Sequence, residues 1–298
     1  MLRHVDRGDQ GSAEKLSALE ADHESGGAVP AAPKRRGRAE LSPGKLGVVM
    51  NLPTLAVLAL VLAYPIGYAA YLSFHKVTPA ELRRGVFPSV GLGNYQRILS
   101  DPLFLLALKN TLVFTAVTVV VELALGIAIA LLIGQRQVWT SRVTRFLILL
   151  PYAVPPIANG LIWSFMYNFD FGFLNRLLFS AGMISKPVNW IGDPNTALFA
   201  LIVPYVWRTL PFAVLLVPIL VVILVLRTSF AFVVFEEVLA ITQGGPGDAT
   251  WVAVWFSYKR SFAPPFDIGI GAASAYVLAL IIGALALAYV TTIYRRIE

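Results

Sequence analysis

Five charged residues, Glu122, Arg208, Arg227, Glu236 and Glu237, sit within long apolar runs of this 298-residue chain. A charge at the centre of a bilayer costs about 2.5–3.5 kcal/mol on insertion scales, so each needs a reason to be there. Arg227 and Glu237 fall near the ends of their runs, where a long side chain can reach head groups. Arg208 lies about twelve residues into its run, where that escape is harder. Arg208 and Glu236 are therefore read as facing a cavity, paired with each other or with another chain. Glu122 is a weaker candidate for the same role.

A second constellation is Asn159, Trp163 and Tyr167, which recur every four residues and so share one helical face. Sugars present hydroxyls to amides and carboxylates, and apolar C–H faces to aromatic rings, so such a stripe suits a saccharide path. The plainer alternative is an interfacial aromatic belt with a helix–helix hydrogen bond. Tyr205 and Trp207 are weaker members of the same class. Pro151, Pro155 and Pro156 precede the stripe; irregular backbone at membrane depth is tolerated where it lines a cavity.

Other chemistries are excluded. The chain has no cysteine, which removes disulfides, thiolate metal sites and thiol nucleophiles. Its histidines, His4, His23 and His75, lie away from the centres of the apolar runs. Gly44-Lys45 is followed by Leu46 and lacks the spaced glycine of a phosphate loop, so ATP would have to be held elsewhere. Gly245-Pro246-Gly247-Asp248 imitates an intramembrane aspartyl protease, but that chemistry needs two facing carboxylates in the membrane and Asp248 sits in a polar loop. Gly244, Gly245 and Pro246 read as an external turn able to touch a docked protein, with a plain turn preferred.

The elements that must position these residues are membrane helices. Composition is 57% hydrophobic and 14% charged, against about 25% charged in a soluble average. Spans of roughly 20 apolar residues are predicted at 48–74, 107–134, 146–167, 196–217, 219–240 and 269–293. The expected fold is all-α, a polytopic membrane protein of six transmembrane helices, built as a permease domain over 46–298. Residues 1–45, rich in Gly, Ala, Pro and charge, are expected to be a disordered tail. Eight of the 24 Lys and Arg residues lie there, and Lys34, Arg35, Arg36, Arg38 and Lys45 flank the first span, holding the N-terminus in the cytoplasm. Arg136, Arg142 and Arg145, then Arg295 and Arg296, place the second loop and the C-terminus on the same side, while Lys76, Arg83, Arg84 and Arg97 fit it less well. The net charge of +7 is thus a topology and lipid signal rather than a nucleic-acid one. From Thr196 to Ile241 the chain is almost wholly apolar; as one helix it would be about 69 Å long, so it must cross twice, turning near Pro211 to Pro218 with hardly a residue to spare.

Four segments carry a resemblance. They are Gly91-Leu-Gly-Asn-Tyr-Gln-Arg-Ile-Leu through Asp101-Pro102 to Lys109-Asn110-Thr111-Leu112; Leu150-Pro151-Tyr152-Ala153-Val154-Pro155-Pro156 through Trp163 to Phe171-Gly172-Phe173-Leu174-Asn175; Val206-Trp207-Arg208 with Pro211-Phe212; and Arg227-Thr228 through Phe235-Glu236 to Thr242-Gln243-Gly244-Gly245-Pro246-Gly247. In this order over residues 48–298, they resemble the carbohydrate-type permease subunits of bacterial binding-protein-dependent ABC importers, similar to the larger maltose-permease subunit. One departure stands out. The family carries a cytoplasmic helical loop of about 30 residues between its fourth and fifth core helices, which docks on the ATPase, whereas here Leu215-Leu216-Val217 runs straight into Pro218-Ile219-Leu220. A segment closed over at this join is the preferred reading, since clean loss of the coupling loop should leave a dead transporter.

The resemblance implies a subunit of an ATP-driven carbohydrate importer in the bacterial cell membrane, for a disaccharide such as trehalose or maltose. The composition and basic tail also resemble an actinobacterial trehalose importer. It implies a heterodimer with a second permease, two ATPase subunits that hold ATP and Mg, an extracellular sugar-binding protein, surrounding lipid, and no cofactor or catalysis on this chain. Asn110, Asn159, Trp163, Tyr167, Tyr205, Arg208 and Glu236 are the expected substrate path. The competing class is a secondary transporter driven by an ion gradient through Glu122 or Glu236, disfavoured by the lack of an inverted repeat; a non-transporting scaffold is a third.

Overall fold

The computed structural model describes residues 43–134, 142–216 and 220–294. Nearly all of the expected tail, most of the basic loop after Gly134, the join at 217–219, and Arg295 and Arg296 lie outside the described residues. The chain divides by contact into Met1–Val57 and Leu58–Glu298. In the first unit, helix α1 (Pro43–Leu58) carries Pro53 internally and exposes Val48, Met50, Leu52 and Leu55.

In the second unit a π-helical turn, Ala59–Ala63, precedes α2 (Tyr64–Ser73). Two short helices follow, α3 (Pro79–Arg84) and α4 (Gly93–Ser100), then α5 (Pro102–Gly134) and α6 (Arg142–Leu149). A 3₁₀ turn, Leu150–Ala153, leads to α7 (Pro156–Met166) and α8 (Phe173–Ser180). The long α9 (Pro194–Leu216), α10 (Leu220–Phe232), a π-helical turn Val238–Thr242, α11 (Ala253–Phe262) and α12 (Ile268–Tyr294) complete the chain. α3 starts with a capping box in which the Thr78 hydroxyl donates to Glu81, and this bond is the main reason the Glu81 carboxyl sits below its usual range.

Four helices among the described residues can cross a membrane: Met50–Ser73, Pro102–Leu131, Pro194–Val214 and Ile268–Thr292. The expected span at 146–167 is a pair, Phe146–Ala153 and Pro156–Met166, bent by 91°. Pro151, Pro155 and Pro156 supply the break, because each lacks the N–H that a continuous helix would need. The expected crossing at 219–240 takes a different form: α10 has 13 residues, and the chain unwinds after Phe232 before the π turn. Pro204 and Pro211 both lie inside α9, and the turn expected near Pro211 to Pro218 is left to the join at 217–219, outside the described residues.

α5 buries a polar stripe and leaves large apolar side chains exposed, an arrangement suited to a lipid solvent. On α5, Thr111, Thr115, Thr118 and Glu122 are buried at helical spacing, while Leu105, Leu112, Val120 and Leu131 are exposed. α5 packs against α9, α10 and α11, and α12 closes the bundle against α2, α4, α10 and α11. The Phe114 ring meets Tyr205 edge-on at 5.2 Å, in a cluster with Leu201, Val234, Val238 and Trp255. α7 lies directly on the Val238–Thr242 turn; a Cβ on Gly160 would come within 2.5 Å of the Ala240 Cβ, so only glycine permits this approach. That contact fixes the backbone that carries Glu236 and Glu237.

Candidate functional site

α5, α9 and α10 meet around a buried charge cluster. Glu122 of α5 accepts from Arg227 Nε at 2.7 Å and from Arg227 Nη2, a bidentate pair, and the Thr209 hydroxyl also contacts it. That hydroxyl lies 2.6 Å from the Tyr205 carbonyl, one turn back on α9. Arg208 Nη2 donates to Glu237 Oε1 at 3.2 Å. The two guanidinium carbons lie 5.8 Å (Arg208) and 5.6 Å (Arg227) from the Tyr205 ring centroid, so the phenol joins the two ion pairs.

Burial decides how these charges are used. Glu122 is 1% exposed, Arg227 3% and Glu237 1%, which overturns the reading of Arg227 and Glu237 as snorkelling to head groups. Charges this deep persist only when paired and hydrogen-bonded. Of the two pairings expected, with each other or with another chain, the first is corrected: Arg208 takes Glu237, and no ion pair involves Glu236 among the described residues.

Beside the cluster is a cavity of about 250 Å³. Tyr205, Arg208, Thr209 and Phe212 of α9 form one wall, Arg227 and Phe230 of α10 another, and Val233, Glu236 and Glu237 the third. Tyr152 from the 3₁₀ turn closes it, stacked on Phe212 at 5.8 Å and 17°. Arg208 Nε and Glu237 Oε2 are buried without a hydrogen-bond partner. Such atoms are costly unless a water or ligand meets them.

Of the expected path residues, the structure brings Tyr205, Arg208 and Glu236 together at this cavity. The others lie elsewhere. Asn159 is fully buried and donates to the Pro204 carbonyl at 3.1 Å, joining α7 to α9. Trp163 stands 5.5 Å from Tyr167 and 6.2 Å from Trp207, an aromatic cluster in which the Tyr167 hydroxyl has no partner. Asn110 donates to the Ala249 and Trp251 carbonyls at 3.0 and 2.9 Å, while Thr111 accepts the Ala253 N–H at 2.8 Å. These two residues pin the loop that holds Gly244, Gly245 and Pro246. The sequence reading did not single out Thr209, Phe212 or Tyr152 as lining residues. For Thr209 and Phe212 a signal was present, since Tyr205, Arg208, Thr209 and Phe212 follow i, i+3, i+4, i+7 spacing on one face.

No protein-family profile matches the chain. Curated relatives do. The chain is 33% identical over 241 residues to the trehalose/maltose transport system permease protein MalF of Thermococcus litoralis, covering 69% of this chain and 80% of that protein. The chain belongs to the sugar permeases of ABC importers. This permease is also 27% identical over 270 residues to the trehalose transport system permease protein SugA of Mycobacterium tuberculosis, covering 78% and 84% of the two chains. Its fold matches a chain in a crystal structure of a bacterial ABC transporter involved in the import of the acidic polysaccharide alginate, with a TM-score of 0.69, 17% identity, and 85% and 96% coverage. The alignment with the archaeal permease runs over 241 positions but takes up 69% of these 298 residues, about 206, so about 35 of its positions face a gap in this chain.

Proposed function

We propose that this permease forms half of the translocation path of an ATP-driven importer for a neutral disaccharide of the trehalose or maltose type, and that the cavity at α9 and α10 is its sugar-contacting surface. The observation that carries this reading is the pairing of an aromatic wall, Tyr152 on Phe212, with buried polar atoms left open at Arg208 and Glu237. A sugar ring offers a C–H face to the first and hydroxyls to the second. At about 250 Å³ the cavity is smaller than a typical ligand site, so a second permease subunit completes it. Neutrality follows from the charges: Glu122 occupies Arg227 and Glu237 occupies Arg208, and the Glu236 carboxylate at the wall has no ion-pair partner among the described residues. An acidic sugar would meet that charge at low dielectric.

Two ATPase subunits, with ATP and Mg, would drive the cycle, and an extracellular binding protein would deliver the sugar. Both termini would lie in the cytoplasm of a bacterial cell. Alternating access would follow from the differential affinity of nucleotide and sugar for the two states. The ATPase contact would be made by the coupling segment expected between Val217 and Pro218, whose length is similar to the number of positions that the archaeal relative has and this chain lacks. The test is uptake of labelled trehalose and maltose by the complete importer in proteoliposomes. Uptake should require ATP and the binding protein and should survive collapse of proton and sodium gradients. Uptake that follows an ion gradient without ATP would reject the proposal.

A further inference from the structure

α8 is held in one orientation and turns a row of large apolar side chains outward. Its inner face is anchored by Asn175, which is 5% exposed: Nδ2 donates to the Val188 carbonyl at 3.0 Å, and Oδ1 accepts from the Val188 N–H at 3.1 Å and Trp190 Nε1 at 2.9 Å. With that face fixed, Phe173 (59% exposed), Leu177 and Phe179 point away from the protein, and Phe169 and Phe171 continue the patch. Six residues separate Met166, at the end of α7, from Phe173, and thirteen separate Ser180 from Pro194, at the start of α9. At about 3.3–3.6 Å per residue, the seven steps from Met166 to Phe173 keep the start of α8 within roughly 25 Å of the end of α7.

We propose that α8 lies along the membrane interface, with Phe173, Leu177 and Phe179 in the boundary between head groups and acyl chains and Arg176 at the lipid phosphates. The occupant is lipid because α7, which is part of a candidate membrane span, exposes Leu161, Ile162 and Phe165 (66%), and the exposed Phe169 and Phe171 in the turn that follows carry this apolar surface on to α8. The composition agrees, since α8 (Phe-Leu-Asn-Arg-Leu-Leu-Phe-Ser) has no carboxylate and one exposed cation amid its aromatic residues. Amphipathic helices that mix Phe and Leu with basic residues settle at this depth, about 5–10 Å into the boundary. The inference needs only that the chain is a membrane protein; it is independent of which sugar is carried.

The absence of cysteine makes the test direct. Phe173→Cys and Phe179→Cys, each labelled with an environment-sensitive dye, are placed in the complete transporter with cysteine-free partners, in nanodiscs whose lipids carry a nitroxide either near the head group or at the chain end. Both side chains are exposed, so neither substitution empties a core. Both dyes should emit to the blue of their water-exposed position, with quenching about two-fold stronger from the shallow nitroxide, given that depth. Emission as in water with no nitroxide quenching would overturn the proposal. Shielding that appears only when the soluble sugar-binding protein is added would also overturn it, and would make α8 a protein-docking face.

Discussion

Arg227→Met should destabilise the permease by about 3–5 kcal/mol, because it leaves Glu122 charged, buried and without its bidentate partner. Glu122 would retain only the Thr209 hydroxyl, which cannot offset the loss of a guanidinium. The double replacement Glu122→Gln with Arg227→Met should recover most of the loss, since the costly species is the orphaned charge rather than the missing attraction. Thermal unfolding of the assembled transporter in detergent reads both effects. Equal loss in the single and double variants would show that the pair itself, not charge orphaning, holds α5 to α10. No loss in Arg227→Met would remove the cluster from the account of the fold.

Arg208→Ala should reduce sugar uptake by about ten-fold to a hundred-fold, the equivalent of one hydrogen bond from a charged donor at roughly 1.5–3 kcal/mol. Part of any loss could come from Glu237, which is left unpaired by the same change. Arg208→Ala combined with Glu237→Gln separates the two contributions. If assembly returns to normal while uptake stays low, Arg208 serves the sugar; if uptake returns too, its role is to neutralise Glu237. Glu236→Gln leaves both ion pairs in place and should assemble normally. Sugar uptake unchanged in Arg208→Ala would refute the assignment of the cavity while leaving the family membership intact.

Much of this was legible in the sequence because a bilayer turns charge into a signal: Arg208 and Glu236 were found from their depth in apolar runs, and both line the cavity. The partner of Arg208 was not legible. Adjacent helical residues differ by about 100° around the axis, and the break after Phe232 resets the phase of the segment that carries Glu236 and Glu237. The same break made Arg227 and Glu237 look like end residues of one span when both are in the interior. Neither Val233 nor Val234, where the chain unwinds, is a glycine or proline, so only packing, of α10 against α5 and α12 and of α7 against the following π turn, reveals the end of α10. Asn159 and Asn110 show the opposite case. Both are placed on the expected path, and for Asn159 the helix–helix hydrogen bond weighed as the plainer alternative is present; the carbonyls that the two amides meet, one on a proline-bearing helix and one in a loop, are visible only in the tertiary structure.

In the proposed function, sugar passes through the cavity beside the two ion pairs. Val233 is exposed at its wall and takes no part in those pairs. In the cysteine-free background, Val233→Cys should react with a small polar maleimide in the complete transporter, and trehalose or maltose delivered by the binding protein should slow that reaction by about five-fold or more, as expected for a site that buries most of its ligand's surface. An unchanged rate at saturating sugar, in a variant that still transports, would contradict the account and place the path elsewhere.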